Sequence, residues 1–202
     1  MTQASSEHLR LFVACELPDE VRVTIGEIIE HLRARSGSAV RWVRPEGVHI
    51  TLKFLGEVPQ RQLPAVKMAL HEAVTRHQPF NLEFSNIGMF GGREGLRIMW
   101  VGIAGDVLRL EALVRDVNTA LAVVGFQPEK RPFRPHLTLG RVRDEISTRQ
   151  RAEIEVAVGR QDVPPCGWRT TQVSLMRSRL LATGARYDVM GTFPLRVVTP
   201  AL

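Results

Sequence analysis

The 202-residue sequence predicts an α+β fold and not a doubly wound parallel sheet. Three observations carry this expectation. Strand-like runs occur both in adjacent pairs suited to hairpins and singly between helical stretches. Glycine and proline punctuation separates them. One short pattern, histidine then threonine two residues on, opens two of the strand-like runs: His49-Ile50-Thr51-Leu52 and His136-Leu137-Thr138-Leu139. At 44% hydrophobic, a chain of this length can bury a sizeable core, and residues 1–202 are expected to form a single domain.

Residues 9–16 are strand-like. Residues 18–35 read as a helix, because Pro18 suits a first turn whose N–H groups lack partners anyway. Residues 41–43 and 48–55 read as strands, and Pro59 marks the exit from the second. Helical periodicity covers 61–77. Residues 80–87 and 96–103 form an expected strand pair, joined by a loop over 88–95 because Gly91, Gly92 and Gly95 favour turns. A helix over 106–124 is stopped by Gly125. A strand at 136–142 precedes a helix at 147–158. After the punctuation of Pro164, Pro165 and Gly167, strands are expected near 170–176 and 186–193.

Side chains alternate faces along a strand, so His49, Thr51 and Lys53 are expected on one face, with Ile50, Leu52 and Phe54 on the core face. His136 and Thr138 share a face in the same way, with Leu137 and Leu139 opposite. Imidazole has an unperturbed pKa of roughly 6.5 and exchanges protons near neutral pH, while a neighbouring hydroxyl can hydrogen-bond a phosphate oxygen. A single His-x-Thr reads most simply as a partly buried histidine. Two copies in matched settings do not: Arg44-Pro45 and Arg134-Pro135 precede them, and Gly56 and Gly140 follow. The pattern looks like an internal duplication that faces two acid/base groups and two phosphate clamps, Thr51 and Thr138, onto one site.

These residues resemble the two-histidine (2H) phosphoesterases, marked by two His-x-Thr-x motifs about half a chain apart. The nearest branch is RNA 2′,3′-cyclic phosphodiesterase, also called 2′-5′ RNA ligase. Leu9-Arg10-Leu11-Phe12-Val13-Ala14 followed by Leu17-Pro18 resembles its opening strand and helix start. Leu175-Met176-Arg177-Ser178, Gly184, Tyr187 and Phe193-Pro194-Leu195 resemble its closing strands. The resemblance implies a bilobal, pseudo-two-fold 2H phosphoesterase fold: two antiparallel sheets flanked by helices around a central cleft, each supplying one histidine strand, with strands exchanged between lobes. It also implies His49 as proton donor, His136 as proton acceptor, departure of the 3′-oxygen and a 2′-phosphate product. The near-symmetry of the two histidines lets their roles exchange when the reaction reverses, the route by which such an enzyme also joins RNA ends. The branch often carries an arginine five positions after its second histidine, here Arg141, a further candidate for phosphate binding. Strict alternation would put Arg141 opposite His136, a conflict that a bulge at Gly140 would relieve. Arg131, Arg134 and Lys53 are candidates for meeting the RNA backbone.

The formal charge of +6, from 27 Lys and Arg against 21 Asp and Glu, favours an anionic partner such as RNA ending in a 2′,3′-cyclic phosphate. Cys15 and Cys166 signal neither a disulfide framework nor a zinc site. No stretch approaches the length of a membrane span and no secretory signal is recognisable, so a soluble, cytoplasmic monomer is expected. No phosphate-binding loop of the Gly-x-x-x-x-Gly-Lys type occurs, and neither motif carries ligand-spaced carboxylates or cysteines, so no cofactor and no metal are expected. Tyr187 is left without a role, and Phe54 is read as packing. The competing readings are a phosphodiesterase of small cyclic nucleotides or 2′-5′ oligonucleotides, a non-catalytic RNA-binding module of the same fold, and a metal hydrolase.

Overall fold

The computed structural model describes residues 8–92, 95–129, 131–181 and 184–197. In chain order the elements are β1 (His8–Glu16), α1 (Asp19–Ser36), β2 (Val40–Trp42), β3 (His49–Pro59), α2 (Leu63–Val74), β4 (Phe80–Gly92), β5 (Gly95–Gly105), α3 (Val107–Val123), β6 (His136–Val142), α4 (Thr148–Gly159), β7 (Gly167–Thr170), β8 (Gln172–Leu181) and β9 (Gly184–Pro194). The strands form two sheets, ordered β3-β1-β8-β9 and β2-β6-β5-β4-β7, in which the paired strands run antiparallel. Without β2 the two orders correspond strand for strand, and each places its histidine strand at one end, beside β1 in one sheet and β5 in the other. That is the α+β, two-sheet architecture the sequence predicts.

Local chemistry explains the helix boundaries. Pro18 sits at the cap of α1 with φ −60°, and Asp19 and Glu20 occupy the first turn, where negative charge complements the helix dipole. Ser147 caps α4 in a reciprocal capping box with Gln150. Gly125 follows α3 with φ +98°, a backbone conformation that favours glycine. α2 packs on α3, and α1 packs on α4. One apolar cluster, including Leu11, Val13, Ile25, Leu110, Leu137 and Leu175, runs through both sheets and the helices behind them. β1 is buried on both faces: Leu11, Val13 and Cys15 enter this core, while Phe12 and Ala14 form a separate small cluster with Met176.

Two expectations need correction. The loop expected over 88–95 is strand through Gly92 and again from Gly95. Gly88 is there for room, since a Cβ on it would lie 2.4 Å from the Trp100 ring carbon Cζ2 on the paired strand. Glycine marks a close approach here, and its turn propensity is not used. The single strand expected near 170–176, with Gly167 as punctuation before it, is two strands: residues 167–170 form β7 on β4 and β8 starts at Gln172, so the chain leaves the second sheet at Thr170 and enters the first at Gln172.

Candidate active site

His49 opens β3 and His136 opens β6, and these strands lie against each other where the sheets meet. Each ring is fixed the same way. His49 Nδ1 donates to the Gly47 carbonyl at 2.8 Å, and His136 Nδ1 donates to the Arg134 carbonyl at 2.7 Å. Because a carbonyl only accepts, both rings carry their proton on Nδ1, which leaves Nε2 for chemistry. The Gly47 carbonyl ends the short turn Pro45–Gly47, whose Gly47 N–H bonds the Arg44 carbonyl, while the Arg134 carbonyl immediately precedes Pro135, so the two Arg-Pro pairs support the rings in different ways.

A matched irregularity follows each histidine. Thr51 pairs with Ala14 and Lys53 with Val13, leaving Leu52 without an opposite residue. Thr138 pairs with Trp100 and Gly140 with Met99, leaving Leu139 without one. Each extra residue lies three positions after its histidine and reverses the alternation beyond it. Arg141 is thereby exposed on the face of His136 and Thr138, as a bulge near Gly140 predicts, while Gly140 is buried. A Cβ on Gly140 would lie 2.7 Å from Val40 Cγ1, so this glycine lets β2 approach.

In β3 the same reversal overturns two expectations. Lys53 leaves the histidine face and is 2% exposed, its ammonium donating to Asn118 Oδ1 at 2.8 Å and to the Gln127 carbonyl at 2.7 Å. Burial lowers its pKa, and Glu129 opposes the shift. It is a tie between β3, α3 and the segment leading to β6, and is not available to an RNA backbone. Phe54, expected in the core, is 63% exposed on the histidine face. Arg131 and Arg134 are exposed on the segment that delivers His136.

Aromatic rings position both imidazoles. Phe12 stacks on His49 at 4.7 Å, and Tyr187 meets His49 edge-on at 5.2 Å. Phe90 stands perpendicular to His136 at 5.0 Å and rests on Trp100. Sequence reasoning missed Phe12, Phe90 and Trp100 as site residues, since an aromatic in an apolar strand looks like core; only the histidine faces could have pointed to them. Neither the Thr51 nor the Thr138 hydroxyl has a hydrogen bond to a described residue, which leaves both free to donate to a ligand oxygen.

Burial pushes the pKa of His49 down; the Gly47 carbonyl and Glu16 oppose the shift, and His136 adds to it. His136 thus lies near enough for its charge to act on the His49 ring. Burial raises the Tyr187 phenol, with Arg141 and Arg10 opposing. Residues of both sheets thus converge on one space. Among the described residues, no group of three or more His, Cys, Asp or Glu side chains could hold a metal ion. What the space offers is two proton-exchanging nitrogens, two hydroxyl donors and a guanidinium, a set suited to a phosphate ester.

Comparison with known proteins agrees with this geometry. Residues 17–180 match the model of the 2′-5′ RNA ligase superfamily. An RNA 2′,3′-cyclic phosphodiesterase of Methanothermobacter thermautotrophicus is 30% identical over 188 residues, covering 93% of this chain and 99% of the relative. One of Thermotoga maritima is 30% identical over 182 residues, covering 90% and 93%. Among solved structures, TT0787 of Thermus thermophilus superposes with a TM-score of 0.74 at 28% identity, covering 93% of this chain and 98% of that one. E. coli LigT complexed with 3′-AMP gives 0.71 at 28% identity, covering 94% and 99%. Two histidine-threonine strands, equivalent bulges and this likeness over nearly the whole length place the chain in the 2′-5′ RNA ligase superfamily.

Proposed function

We propose that the protein is an RNA 2′,3′-cyclic phosphodiesterase that opens cyclic phosphate ends by two-histidine acid/base catalysis. The observation that carries this reading is the matched pair of imidazoles, each locked by an Nδ1–H bond to a carbonyl two residues back and carried on strands that lie against each other. The names of the relatives supply the substrate class.

In the forward step His136 Nε2 takes a proton from water, whose oxygen attacks phosphorus. The P–O3′ bond breaks, and His49 gives its proton to the departing 3′-oxygen, so the product keeps a 2′-phosphate. Each well-placed proton transfer contributes typically about 10²–10⁴-fold. Thr51 and Thr138 donate to the non-bridging oxygens, and Arg141 offsets the charge that grows on them. Burial favours neutral His49 in the free protein, whereas an anionic phosphodiester beside the ring favours its protonated form. His49 is thus recruited as an acid by the substrate itself. With a 5′-hydroxyl in place of water, the same step makes a 2′-5′ linkage.

The test is a product assay on RNA ending in a 2′,3′-cyclic phosphate that resolves 2′- from 3′-monophosphate ends. A 2′-phosphate is expected, together with a loss of about 10²-fold or more in His49→Ala and in His136→Ala. A 3′-phosphate would overturn the assigned leaving group, and full activity in both variants would overturn the mechanism.

A further inference from the structure

Arg41, the middle residue of edge strand β2, pairs directly with Arg141 in the antiparallel register between β2 and β6. Cross-strand partners project to the same face, so Arg41 shares the open side of this sheet with Arg141, His136 and Thr138. The flanking pairs, Val40 with Val142 and Trp42 with Gly140, turn to the other face. Both arginines are exposed, and neither makes an ion pair with a described residue. The other sheet contrasts with this, since there Arg10 of β1 faces Glu57 of β3. Like charges placed directly opposite destabilise a sheet unless an anion lies between them.

Position says which anion. Arg141 lies five residues past His136 with one bulged residue between, so the pair stands about 13 Å along the strand from the histidine. Arg141 is near enough to the histidine end of the sheet for its charge to act on Tyr187, the ring beside His49. Arg41 lies one strand further out. A cyclic mononucleotide brings a single phosphate, which the histidines and threonines would occupy. We propose that Arg41, one strand beyond the Arg141 that serves the reacting phosphate, binds the phosphodiester next to the reacting end, so the site selects an oligonucleotide over a cyclic mononucleotide. This rests on the cyclic phosphodiesterase reading above and adds to it the residue that sets the length of substrate preferred.

The test compares a 2′,3′-cyclic mononucleotide with a short RNA carrying the same cyclic end, using wild type, Arg41→Ala and Arg41→Lys. The ratio of kcat/KM for RNA over mononucleotide is expected to fall about tenfold in Arg41→Ala, mainly through KM, and to recover largely in Arg41→Lys. For binding of an RNA with a 2′-phosphate end, read by fluorescence anisotropy, the log–log salt slope should shrink by about 0.7. Thermal stability should hold or rise as the repulsion is relieved, which a merely structural arginine would not give. An unchanged ratio, or equal losses on both substrates, would overturn the subsite. If the wild type turned over neither substrate, the functional reading would fail, and the salt slope alone would still decide the subsite.

Discussion

At the residue scale, the two histidines share a tautomer but not an environment. His49 lies under Phe12 and beside Tyr187, and burial lowers its pKa below the ordinary 6.5. The folded state thus prefers the neutral ring, and the unfolded chain binds the proton more readily. The stabilising contribution is therefore complete above 6.5 and is lost as pH falls through the folded-state value. Between about pH 7.5 and 5 the urea midpoint of the wild type should drop further than that of His49→Gln, which has no imidazole to protonate. Equal drops in the two proteins would mean that His49 titrates as it does in water. Much at this scale was legible: His49, Thr51, His136 and Thr138 stand out because a polar pair recurs where an apolar strand needs none. Phe12 and Phe90 were not, because an aromatic in a strand looks the same whether it packs a core or braces a ring.

At the scale of elements, the matched bulges decide which side chains face the site. In β6 the glycine after the bulge gave a sign, and Arg141 could be expected on the open face. In β3 the equivalent position holds Lys53, an ordinary strand residue, so nothing in the sequence marked the slip and parity put both Lys53 and Phe54 on the wrong faces. The strands and helices themselves were legible from periodicity and capping residues. β7 was not, because it is only four residues long and begins at a glycine. Lys53 now reads as a structural cation whose two hydrogen bonds tie β3 to α3 and to the segment before His136. Lys53→Met keeps the length of the side chain but leaves the Asn118 and Gln127 oxygens without their donor. A loss of about 1–3 kcal/mol in urea unfolding is expected, with no change in the salt dependence of RNA binding. If stability holds and the salt slope shrinks instead, Lys53 faces RNA after all.

At the scale of the molecule, the duplicated pattern foretold two matched histidine strands, but the exchange of strands between the sheets follows from pairings distant in sequence. β1 and β3 belong to one sheet with β8 and β9, while β2 crosses to the other beside β6. Neither half-site can therefore assemble from one half of the chain, because each sheet draws strands from both halves. Acid and base acting on one phosphorus in one transition state should not contribute independently. Suppose His49→Ala and His136→Ala each lower kcat by about 10³-fold. Independent contributions would then multiply to about 10⁶-fold in the double variant. A concerted pair predicts otherwise: once either proton transfer is gone, the remaining histidine has little left to assist, and the double variant should fall within about tenfold of the worse single one. Single-turnover rates on RNA with a cyclic end, measured for all four proteins, distinguish the two. Full multiplication would mean that the imidazoles serve separate steps, and the symmetry of the fold would then be a record of duplication without a shared transition state.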